Sequence, residues 1–145
     1  MTAPRRKPSS KRPVTAGDSV TVHLSLIHIS TTEPVADYLL VAMGMKNLTP
    51  FVFQADIMNG VDPAPEDISM EDGFFTKHKV KVFCYNQQVV DALTASIRHT
   101  AQSAGVPVVG VYETMPSRYD YQSWMLAEVG AIEAAVAHGR STQHL

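Results

Sequence analysis

The sequence has a single cysteine among its 145 residues, so an internal disulfide bond is excluded. That residue, Cys84, lies in the apolar run 80–85, which favours a buried small side chain over a reactive thiol. No run of about 18 apolar residues occurs, so a transmembrane helix is not predicted. The basic N-terminus is not followed by the apolar core of a secretory signal, and no export signal is predicted in the chain as given.

The common sequence signatures of catalysis are also missing. There is no G-x-G-x-x-G motif, no glycine-rich phosphate-binding loop and no Ser/His/Asp or Cys/His constellation. These absences argue against nucleotide-dependent and nucleophile-based enzymes. A small α/β enzyme that uses two carboxylates as acid and base stays open as an alternative.

Positive charge is scarce outside the N-terminus. Five of the twelve basic residues lie within residues 1–12, and from residue 13 onward seven basic and fourteen acidic residues give a net charge of -7. Because nucleic-acid binding needs a basic face, nucleic acid is not a predicted partner, whereas an acidic body suits a cation. Residues 1–18, rich in Pro, Ser, Lys and Arg, are predicted to be a disordered basic tail, and residues 19–140 a single lobe.

Apolar runs and helical patterns alternate along the rest of the chain. Strands are predicted at 19–30, 80–85 and 106–112, and helices at 35–43, 65–77, 89–104 and 121–138. Residues 50–60 are ambiguous and could form a short helix ending at Gly60. In residues 89–104, Val90, Leu93, Ile97 and Ala101 form one apolar stripe. The alternation predicts an α/β fold in which helices flank a small parallel sheet of three or four strands.

A carboxylate follows two of the predicted strands. Glu33 comes after the run 19–30, and Glu113 ends the run 106–113, which reads VPVVGVYE. Ligands of open parallel sheets bind at the carboxyl ends of the strands, so both side chains are expected at one crevice if their strands share a sheet. Two carboxylates suit a divalent cation. From the residues alone, Glu33 could instead be an acid at a helix N-terminus, and Glu113 a solvated loop residue.

Several short motifs in a fixed order carry a family resemblance. They are TEPVADYL at 32–39, DPAPEDI at 62–68, VKVFCYNQQ at 80–88, GVPVVGVYETMP at 105–116 and YQSWM at 121–125. Together they resemble the C-terminal lobe of the metal-binding receptors of ABC transporters, the cluster that captures zinc or manganese, over residues 31–138. The resemblance implies one lobe of a two-lobed receptor, with the metal between the lobes. It implies Glu33 and Glu113 as this lobe's ligands and zinc or manganese as the transported ion.

The resemblance also implies an ABC permease as partner and an extracellular or cell-envelope location. The N-terminal lobe, the linking helix and the export signal of such receptors are not found in the sequence as given, and residues 1–30 do not resemble the family. We therefore expect a truncated substrate-binding component, cytoplasmic if expressed as given. A non-functional gene fragment is the alternative to a metal-binding role.

Overall fold

The computed structural model describes residues 27–145, so the predicted tail and most of the first predicted strand lie outside the described residues. Four strands are present in this part of the chain: β1 Ile27–Thr31, β2 Met45–Asn47, β3 Val82–Asn86 and β4 Val108–Val111. Its five α-helices are α1 Asp37–Ala42, α2 Phe51–Met58, α3 Pro65–Thr76, α4 Ala92–Ser103 and α5 Tyr121–His138. None of these helices has both the length and the apolar character needed to cross a membrane.

All strand pairs are parallel, and the order across the sheet is β2-β1-β3-β4. Every residue of β3 is buried, as expected for a central strand covered on both faces. Side chains alternate along it: Val82 and Cys84 join one core cluster with residues of α1 and α5. Phe83 and Tyr85 join a second cluster with residues of α2, α3 and α4. The α/β fold predicted from the sequence is confirmed, and Cys84 is fully buried.

The element bounds agree with the sequence prediction in some places and correct it in others. Helix α5 has the predicted ends, and Gly139 terminates it with a φ of 65°. Strand β2 is absent from the sequence prediction, because three residues are too few to show a periodic pattern. Helix α4 begins at Ala92 rather than at residue 89, since Asp91 is its N-cap. Val90 therefore precedes the helix and is exposed instead of belonging to the apolar stripe.

The C-terminal residues 141–145 run beside β4 and cover its outer edge. The N–H of Thr142 donates to Val108 O at 3.0 Å, and the N–H of Gly110 donates to Thr142 O at 2.8 Å. The Tyr85 hydroxyl donates to Gln143 O at 3.3 Å. Gly110 permits this approach, since a Cβ there would collide with the Gln143 carbonyl. The outer edge of β4 is thus paired with the segment 141–145 and is not left open.

Candidate metal-binding site

The two predicted carboxylates lie at the same edge of the sheet. Glu33 is two residues beyond β1 and Glu113 two residues beyond β4, and these strands flank β3 on either side. Because all strands are parallel, both residues leave the sheet at its carboxyl edge, on strands about 10 Å apart. The negative charge of Glu113 is close enough to Glu33 to help raise the pKa of Glu33. The structure therefore brings both residues to the same edge of the sheet.

Glu33 is a buried carboxylate with only 5% of its surface exposed. Pro34 follows it and opens a short 3₁₀ turn, Pro34–Ala36, so the backbone at Glu33 is extended, with φ -141° and ψ 160°. Asn86 Nδ2 donates to Glu33 Oε2 at 2.8 Å. Burial raises the pKa of Glu33, the Asn86 hydrogen bond opposes that rise, and the charges of Glu113 and Asp91 add to it. A cation bound beside Glu33 would offset both the burial and the repulsion.

Glu113 is exposed, but the backbone on both sides of it is fixed. The N–H of Tyr112 donates to Glu128 Oε1 at 2.8 Å, and the N–H of Thr114 donates to Gln88 Oε1 at 2.8 Å. Glu113 also borders a cavity of about 340 Å³ that lies between α1 and α5 and has Tyr121 and Trp124 in its wall. An exposed carboxylate on a fixed backbone can meet an ion from solvent without rearranging the strand.

Glu128 is a second buried carboxylate close to this edge, with 4% of its surface exposed. It accepts hydrogen bonds from the Tyr112 N–H and from Trp124 Nε1, the latter at 3.0 Å. Burial raises the pKa of Glu128, and these two hydrogen bonds oppose the rise. Glu128 therefore links α5 to the residue that follows β4, and it stabilises the backbone next to Glu113.

Two residues near the carboxylates, Asn86 and Asp91, were not predicted from the sequence as part of the site. Asn86 ends β3, between the strands that carry Glu33 and Glu113, and the strand-end rule applied to the motif 80–88 would have found it. Asp91 adds to the negative charge around Glu33. It is also the N-cap of α4, where its side chain accepts from the Thr94 N–H at 2.7 Å. The sequence signal for Asp91 is the preference of aspartate for a helix N-cap, but the predicted helix 89–104 places Asp91 inside the helix instead of before it.

The described part of the chain offers few protein ligands. Within residues 27–145, no group of three or more His, Cys, Asp or Glu side chains is arranged to hold a metal ion. Protein zinc sites have three or four protein ligands, whereas harder ions accept water in several positions. An ion held by this edge alone would therefore need water to complete its coordination.

A small parallel sheet with helices on both faces and acidic residues at its carboxyl edge is consistent with one lobe of a solute-binding protein. Residues 21–135 match the model of the family described as "Zinc-uptake complex component A periplasmic", ZnuA. The chain belongs to this family, and the predicted membership of the metal-binding receptors of ABC transporters is confirmed. It is a family of zinc-binding transport receptors that work with permease and ATPase components, not a family of enzymes. Comparison with the curated proteins and with the solved structures gave no match.

Proposed function

We propose that this chain binds a divalent metal ion as a substrate-binding component of an ABC transporter, with Glu33 and Glu113 as carboxylate ligands. The observation that supports this most strongly is the buried Glu33, whose hydrogen-bond donor is the neutral Asn86 and whose pKa is raised further by the nearby Glu113. An ionised carboxylate in such surroundings is stabilised by a cation. Membership of a zinc-uptake family makes a transported metal the natural occupant.

In this proposal the metal is cargo and undergoes no chemical change. Glu33 binds the ion as a carboxylate, and the exposed Glu113 supplies a second oxygen at the same edge of the sheet. Zinc is the ion of the family, while carboxylate oxygens suit manganese at least as well. With two protein ligands, binding by this chain is weak and water fills the remaining positions.

The same proposal includes where the protein acts and which part of the chain binds the ion. A receptor of this kind delivers its ion to an ABC permease from outside the cytoplasmic membrane, and the family description is periplasmic. We infer that residues 19–140 form the single metal-binding lobe and that residues 1–18 take no part in holding the ion.

Replacing the two carboxylates tests this function. Glu33→Gln and Glu113→Gln keep the side-chain shape and remove the charge, and each is expected to weaken Zn²⁺ and Mn²⁺ binding by more than about tenfold. The double variant should show no binding above background by isothermal titration calorimetry. Glu66→Gln is the matched control, because Glu66 is exposed in the first turn of α3. Wild-type affinity in the double variant would refute the site.

A further inference from the structure

The end of β3 contacts the segment that carries Glu33 at two points. Asn86 Nδ2 donates to Glu33 Oε2 at 2.8 Å, and the Asn86 N–H donates to Thr32 Oγ1 at 3.1 Å. The N–H of Thr32 in turn donates to Cys84 O at 3.1 Å. Asn86 is almost completely buried, with 1% of its surface exposed. The position of the Glu33 carboxylate is therefore set by a buried side chain of the neighbouring strand.

Gln88, two residues after Asn86, contacts the loop that carries Glu113. Gln88 Nε2 donates to Thr114 Oγ1 at 2.7 Å, and Gln88 Oε1 accepts from the Thr114 N–H at 2.8 Å. Both ends of one amide thus hold the residue that follows Glu113. The N–H of Gln87 also donates to Val111 O at 2.9 Å, which extends the β3–β4 pairing to the start of the loop.

Asn86 and Gln88 are joined to each other. The N–H of Gln88 donates to Asn86 Oδ1 at 3.0 Å, so one end of the Asn86 amide holds Glu33 and the other end holds Gln88. A continuous set of hydrogen bonds runs from Glu33 through Asn86 and Gln88 to Thr114. Neither linking side chain carries a charge, so this connection orders the two carboxylates without neutralising them.

We propose that Asn86 and Gln88 are positioning residues that fix Glu33 and Glu113 relative to each other for metal capture. This inference rests on the proposed function. Partners behind metal ligands orient the ligand atoms, and their loss weakens metal affinity by about 10- to 100-fold. Amide side chains suit the task here because a basic side chain in the same place would repel the ion.

The test compares Asn86→Ala and Gln88→Ala with Gln87→Ala. Gln87 lies between the two, but its Nε2 contacts His144 Nδ1 at 3.0 Å instead of the carboxylate segments, so it is the matched control. We expect the first two variants to weaken Zn²⁺ binding by about tenfold or more. We also expect them to alter the visible absorption spectrum of bound Co²⁺, which reports ligand geometry. Gln87→Ala should retain both wild-type properties.

A structural role alone would lower stability without changing the spectrum of the bound ion. Because Asn86→Ala also releases the Gln88 N–H, adding Gln88→Ala to it should weaken binding by less than the product of the two separate losses.

If Asn86→Ala does not fold, the test uses Gln88→Ala together with Thr114→Ala, since Thr114 is exposed and its replacement should not prevent folding. Wild-type affinity and Co²⁺ spectra in the folded variants, with Glu33→Gln still impaired, would overturn this inference and leave the proposed function standing. Absence of metal binding by the wild type would overturn both.

Discussion

Three glutamates are buried in the described part of the chain, and their neighbours give them different roles. Burial is the largest cause of the raised pKa at Glu33, Glu71 and Glu128. Glu128 has two hydrogen-bond donors, and Glu71 accepts from the hydroxyls of Ser30 and Thr49. Glu33 has a single side-chain donor, Asn86, and is repelled by carboxylates of two other segments. Glu33 thus has the fewest hydrogen-bond donors of the three and lies near other carboxylates at the sheet edge, which fits a residue that meets a cation.

Glu71 gives a prediction on the pH dependence of stability. Its pKa is raised from 4.5 to about 7, mainly by burial. The unfolded chain therefore loses this proton before the folded protein does, and the free energy of unfolding falls as the pH rises from about 4.5 to about 7. The loss from this group is roughly 3 kcal/mol. Urea unfolding across this pH range should show that Glu71→Gln removes most of the decline, while the exposed Glu66→Gln does not. An unchanged decline in Glu71→Gln would contradict this assignment.

At the scale of the elements, the glycines of β4 and α5 should respond oppositely to the same substitution. Gly110→Ala places a Cβ against the Gln143 carbonyl, so the segment 141–145 must move away from β4, at a cost of about 1–3 kcal/mol. Gly130 lies inside α5, where an added Cβ would have no neighbouring atom within 4 Å, and Gly130→Ala should stabilise by about 0.5–1 kcal/mol. Equilibrium denaturation measures both. A neutral Gly110→Ala would show that the segment does not need this close contact.

The helices and buried strands could be predicted because their signals are local. Helix α5 has a glycine at its end, and β4 is a continuous apolar run. Strand β2 could not be predicted, because Met45–Asn47 becomes a strand only by pairing with β1. The apolar pattern places the start of α4 too early, because two valines extend it beyond the Asp91 cap.

The two carboxylates of the site could be predicted from the sequence, because each comes shortly after a predicted strand. Glu33 and Glu113 each follow a strand, so the parallel sheet places them at one edge. The links through Asn86 and Gln88 depend on which strand lies between β1 and β4. No local pattern encodes that order, since it arises from packing of the whole sheet.

For the whole molecule, metal binding should appear as added stability. A ligand that binds only the folded state at ten times its dissociation constant stabilises by about 1.4 kcal/mol. For a chain of this size that is about 5 °C in the melting temperature. Because the pKa of Glu33 is raised, protons compete with the ion, and the Zn²⁺-induced shift should shrink as the pH falls toward that pKa. Differential scanning fluorimetry with Zn²⁺ measures the shift. An equal shift in the Glu33→Gln/Glu113→Gln variant would point to binding elsewhere.

The position of a bound ion tests the central claim most directly. Anomalous diffraction at the zinc edge, from crystals of the full chain soaked in Zn²⁺, locates the ion without reference to affinity. The account predicts one peak at the carboxyl edge of the sheet, about 2.0–2.2 Å from a carboxylate oxygen of Glu33 and of Glu113. A fully occupied zinc site elsewhere, for example at the exposed His138 or His144, with no peak between Glu33 and Glu113, would contradict it.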